Sequence, residues 1–126
     1  GLGWTAEIAR SVIPDEAGLL RQEINGAANA DIIISTGGTG IGPRDITVDV
    51  VKPMLDKEIP GIMEMIRQKY GSEKPNALLS RGVAGVIGSA LVYTLPGSVK
   101  AVEEYLSVIS STIKHSVFMM NGLDLH

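Results

Sequence analysis

A chain of 126 residues with a formal net charge of −3, 44% hydrophobic and 20% charged residues has the composition of one globular domain spanning 1–126. The absence of cysteine excludes disulfides, thiolate zinc sites and a cysteine nucleophile. No basic run marks a nucleic-acid partner, and neither a membrane-spanning apolar stretch nor a signal peptide is read from the residues, so a cytoplasmic protein with small-molecule ligands is expected. With aromatics at 4%, the core must be mainly aliphatic.

In chain order, Trp4 to Ile13 reads as an extended segment ended by Pro14. Asp15-Glu16 opens a helix with Leu19, Leu20, Ile24 and Ala27 or Ala28 on one face. Asp31-Ile32-Ile33-Ile34 reads as a short buried strand. Thr47 is a candidate N-cap for a helix over Val48 to Leu55, with Asp49 in its first turn and Pro53 kinking or limiting it. Pro60 suits the first position of another helix, whose buried side is Ile62, Met63, Ile66 and Tyr70. Ala77-Leu78-Leu79 is a candidate short strand, and Ala90 to Leu95 a firmer one. The turn Pro96-Gly97-Ser98 leads into the longest helix, marked by Val99, Val102, Leu106, Ile109, Ile113 and Val117. Val117-Phe118-Met119-Met120 is read as lying beyond that helix, in the core or a subunit interface. Strands alternating with helices predict a layered α/β fold with substantial parallel pairing. Ligands of such sheets bind at loops beyond the carboxyl ends of strands. Pro14-Asp15, Thr36 to Asp45 and Pro96 to Ser98 are the three loops that fit.

The loop Ser35-Thr36-Gly37-Gly38-Thr39-Gly40-Ile41-Gly42-Pro43-Arg44-Asp45 carries the chemistry. Its glycines let the backbone bend sharply and turn N–H groups toward an anion. Pro43 and Arg44 stand where a Walker loop needs Lys and Ser/Thr, and the dinucleotide fingerprint is also missing. A phosphate is therefore placed on the amides of Gly37 to Gly40, and a magnesium ion on Asp45, since magnesium is usually held by one or two carboxylates plus phosphate oxygens. Asp15, taken alone, reads as a helix cap. Arg44 pairs with a carboxylate or contacts a phosphate, and Ser80-Arg81 is a solvated strand end or part of the site. Lys100, in the last helix's first turn, reads as a surface lysine within reach of a phosphate. His115 and His126 lie far from every motif, so no histidine metal site is expected.

Taken together, Thr36-Gly37-Gly38-Thr39-Gly40, Pro43-Arg44-Asp45-Ile46-Thr47, Glu58-Ile59-Pro60-Gly61, Leu79-Ser80-Arg81, Val83-Ala84-Gly85 and Leu95-Pro96-Gly97-Ser98 resemble the MogA/MoaB family of molybdopterin adenylyltransferases. The likeness is collinear from Ile13-Pro14-Asp15-Glu16 to about Lys114. It implies a three-layer α/β/α sandwich with a mostly parallel sheet, assembled as a homotrimer. It further implies magnesium-dependent transfer of AMP from ATP to the terminal phosphate of molybdopterin, with hand-off to a molybdenum insertase. Carried over motif by motif, Asp45 and Asp15 become the active-site carboxylates and Thr36 to Gly40 the phosphate cradle. Ser80 and Pro96-Gly97-Ser98 would line the substrate pocket.

The family begins with a strand ending in a Ser-Asp-Arg-like motif and a helix, whereas Gly1-Leu2-Gly3-Trp4 matches the end of that helix. The sheet is accordingly expected to expose an unpaired strand position. Two other readings remain beside the enzyme: a molybdopterin-binding or scaffold member of the same fold, and a competence-damage-type nucleotide pyrophosphatase domain. The Gly-Pro-Arg-Asp-Ile-Thr and Leu-Pro-Gly-Ser sequences favour the transferase.

Overall fold

Every side chain of Ala90–Leu95 is buried, which a strand achieves only with a layer on each of its faces. A computed structural model describes residues 6–27 and 29–122 and supplies both layers. The helices are α1 (Ala17–Gly26), α2 (Thr47–Val51), α3 (Pro60–Gly71) and α4 (Val99–Met120), and the strands β1 (Ile32–Thr36), β2 (Lys57–Glu58), β3 (Ala84–Ile87) and β4 (Ala90–Leu95). Leu91, Tyr93 and Leu95 of β4 meet Met63 and Ile66 of α3 and Tyr105 and Ile109 of α4. On the opposite face Val92 packs with Ile24 of α1 and Val48 and Val51 of α2. Helices on both sides of one sheet give the expected three-layer α/β/α arrangement.

The sheet order is β1-β4-β3-β2. β1 pairs with β4 in parallel, from Ile32 opposite Leu91 to Thr36 opposite Leu95. The other pairings, β3 with β4 and β2 with β3, are antiparallel. The described sheet is therefore mixed rather than mostly parallel. The cause is the hairpin made by β3, the two-residue turn Gly88-Ser89 and β4, which a glycine-rich sequence concealed. Gly85 sits where a side chain would strike the Lys57 carbonyl of β2, so the close strand approach requires glycine there.

Other local readings are refined. Residues 6–13 take neither helix nor strand, and Trp4 and Ala28 lie outside the described residues. Leu19 is largely exposed, leaving Ile24 as the buried residue of α1 with Leu20 packed beside it. Thr47 is the first helical residue of α2 and not its cap, because its N–H is taken by the Gly38 carbonyl at 3.1 Å. Pro53 falls in a 3-10 turn, Lys52–Met54, that ends this helix early. Pro75–Leu79 is likewise a 3-10 turn and not a strand; Pro75 starts it, and Leu78 and Leu79 face outward. α4 runs through Val117–Met120, with Val102, Tyr105, Ile109, Ile113 and Val117 against the sheet and Val99 exposed.

Tyr93 is fully buried, and its hydroxyl has no hydrogen-bond partner among the described residues. Burial pushes its pKa up, offset in part by the nearby Ser116 of α4, whose hydroxyl donates to the Thr112 carbonyl and does not meet Tyr93 in hydrogen-bond geometry. Because an unsatisfied buried hydroxyl costs about 1–3 kcal/mol, Tyr93→Phe is expected to leave stability unchanged or raise it by about 1 kcal/mol in urea unfolding. A loss of that size would mean that the hydroxyl is bonded in solution.

Candidate functional site

The parallel pair β1–β4 ends in two loops that emerge side by side. One is the glycine loop after Thr36; the other is Pro96-Gly97-Ser98, leading into α4. The Gly37 N–H extends the ladder by one bond, to the Leu95 carbonyl at 2.8 Å. Gly37 and Gly38 then take φ of 94° and 71°, and the chain turns back over the start of α2. At Gly38 a Cβ would run into the Thr47 side chain, so conformation and space both demand glycine. Further on, the Gly42 N–H donates to Asp45 Oδ2 at 2.8 Å, while the Asp45 N–H donates back to the Gly42 carbonyl at 3.1 Å.

Arg81 holds this loop from behind. Its backbone N–H donates to the Thr39 carbonyl at 2.8 Å. Its Nε donates to the Gly40 carbonyl and one terminal nitrogen to the Asp45 carbonyl, each at 2.8 Å. The guanidinium also forks onto the Asp49 carboxylate of α2, at 3.0 and 3.2 Å. That paired hydrogen bond holds the Asp49 pKa below the usual carboxylate range and raises that of Arg81.

In consequence the Gly38, Thr39 and Gly40 carbonyls are occupied, while a run of nearby donors is not. The N–H groups of Gly38, Thr39, Gly40 and Ile41 have no acceptor among the described residues. Consecutive free amides of this kind form an anion-binding concavity. The sequence placed the anion on Gly37 to Gly40; of those amides the Gly37 N–H is taken by β4, and the unbonded run is Gly38 to Ile41. Asp45 is beside it, half-buried, with Oδ1 free of hydrogen bonds among the described residues.

Gly38, Thr39, Gly40 and Asp45 edge a cleft of about 470 Å³, with Ile41 exposed just outside its lining. Of the residues expected at a site, Gly38, Thr39, Gly40, Asp45, Ser80, Pro96, Gly97 and Ser98 line it. Ser80 Oγ accepts from the Tyr105 hydroxyl at 3.2 Å and from the Gly82 N–H at 3.4 Å, leaving its own hydrogen to donate. Ser98 caps α4 by accepting from the Ala101 N–H at 3.2 Å, and Lys100 lines the cleft at that helix start. An anion there meets the positive end of the helix dipole.

Three expected residues do not line the cleft: Thr36, Gly37 and Asp15. Thr36 is exposed at the end of β1. Asp15 is exposed in the bend before α1, a helix that packs with α2 on the sheet face opposite α3 and α4. Arg44 is exposed and forms no ion pair among the described residues. The cleft's far wall was not foreseen. Lys74 Nζ there grips both carboxylate oxygens of Glu104, at 3.0 and 2.8 Å, beside the ring of Tyr70. Arg67 ties down the Ser80 and Gly82 carbonyls at 3.3 and 3.0 Å. Lys74 and Glu104 stand 30 residues apart, and only the packing of α3 against α4 joins them. Arg81, in contrast, directly follows a residue singled out in sequence.

No group of three or more His, Cys, Asp or Glu able to hold a metal occurs among the described residues. A magnesium ion shared between one carboxylate and ligand phosphates needs no such group, and Asp45 Oδ1 beside the free amides fits that role.

Residues 2–115 match the family described as a probable molybdopterin binding domain. The chain belongs to that family. The chain is 48% identical over 79 residues to molybdenum cofactor biosynthesis protein B of Staphylococcus carnosus, covering 61% of this chain and 46% of that protein. It is 34% identical over 117 residues to molybdenum cofactor synthesis protein cinnamon of Drosophila melanogaster, covering 90% of this chain and 20% of that protein. The chain thus spans less than half the length of either relative. Among solved structures, the molybdopterin biosynthesis enzyme MoaB of Thermus thermophilus superposes with a TM-score of 0.79 at 36% identity, over 90% of this chain and 73% of that one. The MogA/MoaB fold expected from the motifs is the fold observed. No helix among the described residues is long and apolar enough to cross a membrane.

Two outcomes follow from this geometry. Gly38→Ala should lower stability by about 1–3 kcal/mol from backbone strain alone, with the Thr47 clash adding to it, read by urea unfolding. The Asp49 carboxylate has a depressed folded-state pKa, so its contribution is full above the unfolded carboxylate pKa and disappears as pH falls through the lower folded value. Asp49→Asn should therefore flatten the acid limb of the unfolding midpoint against pH, leaving the neutral and alkaline limbs parallel to wild type.

Proposed function

We propose that this domain acts in molybdenum cofactor biosynthesis as a molybdopterin adenylyltransferase. In this reading an oxygen of the terminal phosphate of molybdopterin attacks the α-phosphorus of ATP. The bond to the β-phosphate oxygen breaks, leaving adenylylated molybdopterin and pyrophosphate. What supports the reading most is the run of unbonded amides from Gly38 to Ile41 beside the free Oδ1 of Asp45, at the edge of a cleft. Two phosphate-bearing substrates repel each other, so such a reaction depends on positioning and charge neutralisation more than on a nucleophilic side chain.

The residues divide those tasks. The amides hold phosphate oxygens without ionising or moving. Asp45 would hold magnesium, which supplies charge neutralisation between neighbouring phosphate oxygens. Ser80, fixed by Tyr105 and Gly82, donates its hydroxyl hydrogen from the cleft floor. Pro96, Gly97 and Ser98 shape the entrance, and Lys100 brings positive charge to it. Thr36 and Gly37 act only by fixing where the loop starts. Asp15 is assigned the second carboxylate on the family resemblance alone. A cytoplasmic homotrimer passing its product to a molybdenum insertase completes the reading.

A second reading, a molybdopterin carrier without turnover, is favoured by one observation: Asp15 stands outside the cleft lining. Incubation with molybdopterin and ATP, with and without magnesium, separates the two. Magnesium-dependent adenylylated product supports the transferase; bound pterin without product supports the carrier. Asp45→Asn should reduce turnover about 100-fold or more, the scale seen when one group stabilising transition-state charge is removed, with its thermal unfolding unchanged. Turnover within twofold of wild type would remove Asp45 from this role. For Asp15→Asn, reduced product from a folded variant supports the second carboxylate, and unchanged product removes it.

A further inference from the structure

We propose that Arg81 is a positioning residue for the anion site, fixing the peptide planes of the glycine loop so that their N–H groups face the cleft. The inference rests on the phosphate-binding part of the reading above and not on the transfer reaction. Arg81 does not line the cleft. It acts on the opposite side of the same peptide groups.

The argument is geometrical. In a trans peptide unit the C=O and the following N–H point in opposite directions. The Thr39 carbonyl is held by the Arg81 backbone N–H, so the Gly40 N–H points away from Arg81. The Gly40 carbonyl is held by Arg81 Nε, which turns the Ile41 N–H the same way. The Gly38 carbonyl, taken by the Thr47 N–H, does likewise for the Thr39 N–H. A glycine-rich loop left alone would sample many orientations of these planes. Here Arg81 sets two of them, one through its backbone N–H and one through Nε, and Asp49 sets the guanidinium through a two-point contact. A cation donating to a carbonyl also polarises the attached peptide group and strengthens its N–H as a donor.

The side-chain contacts need a planar fork. Arg81 reaches the Gly40 carbonyl, the Asp45 carbonyl and both Asp49 oxygens at once. A lysine ammonium is a single point of charge on a flexible stem and cannot span that set. Charge without fork geometry is therefore expected to be insufficient.

The test uses 15N-labelled protein titrated with inorganic pyrophosphate and followed by amide chemical shifts. In wild type the Gly38, Thr39, Gly40 and Ile41 resonances should move together and saturate. Arg81→Lys should bind at least tenfold more weakly, with the free-state Gly40 and Ile41 resonances displaced and the unfolding midpoint within a few degrees. A merely structural role for Arg81 would move the midpoint and leave the affinity of the folded fraction alone. Wild-type loop amides that ignore pyrophosphate, or Arg81→Lys binding within twofold of wild type, would overturn the proposal. If Arg81→Lys does not fold, Asp49→Asn carries the comparison: threefold or greater weakening supports the proposal, and unchanged affinity overturns it. Arg81-dependent pyrophosphate binding in a protein that makes no adenylylated molybdopterin would sink the transferase and leave this inference standing. Transfer that proceeds with equal pyrophosphate affinity in Arg81→Lys would do the reverse.

Discussion

Burial of β4 on both faces is the constraint on which the rest of the molecule depends. Leu91, Tyr93 and Leu95 require the α3–α4 layer, and Val92 requires the α1–α2 layer. Fully burying a large apolar side chain is worth about 1.5–3 kcal/mol, so one six-residue strand supplies much of the incentive for both layers to close. That closure also fixes where two loops leave the sheet. β1 lies parallel to β4 and in register to its last residue, so the glycine loop and the turn into α4 emerge together. The cleft is a by-product of that register, with its walls supplied by the helices covering one face.

Polar groups in the site follow a consistent division. Those behind the glycine loop are saturated: Arg81 and Thr47 occupy its carbonyls, and Asp49 occupies Arg81. Those facing the cleft keep bonding capacity, including the loop amides, Asp45 Oδ1 and the Ser80 hydroxyl hydrogen. Even the Lys74–Glu104 pair on the far wall is internally neutral. Arg67 and Lys100 also line the cleft, and among the described residues neither is in an ion pair, Arg67 donating to carbonyls instead.

Legibility in the sequence varied with the kind of signal. Ala90 to Leu95 was readable because a continuous apolar run bounded by Gly and Pro has few alternatives. Pro60 was readable because proline suits a helix's first position. The glycine loop stood out by its composition, and Asp45, Ser80 and Ser98, reached through motifs, do line one cleft with Gly38, Thr39 and Gly40. β3 was hidden because Gly85, which the Lys57 carbonyl requires, erases the propensity that identifies a strand. Leu78 and Leu79 misled in the other direction, since apolar residues in a proline-started turn can stay exposed. The Lys74–Glu104 pair and the hold of Arg81 on Gly40 depend on contacts 30 and 41 residues apart, which no local pattern encodes.

The amides of Thr39, Gly40 and Ile41 are ordered by what happens to their neighbouring carbonyls, not by bonds of their own. Order and protection are thus uncoupled in this loop. Any exchange of these hydrogens with solvent would then report an unbonded donor and not a moving chain. The entropy of arranging the loop is lost when the chain folds, and an arriving anion finds donors already aligned. Occupancy would then be read as slowed exchange with almost no displacement of the backbone.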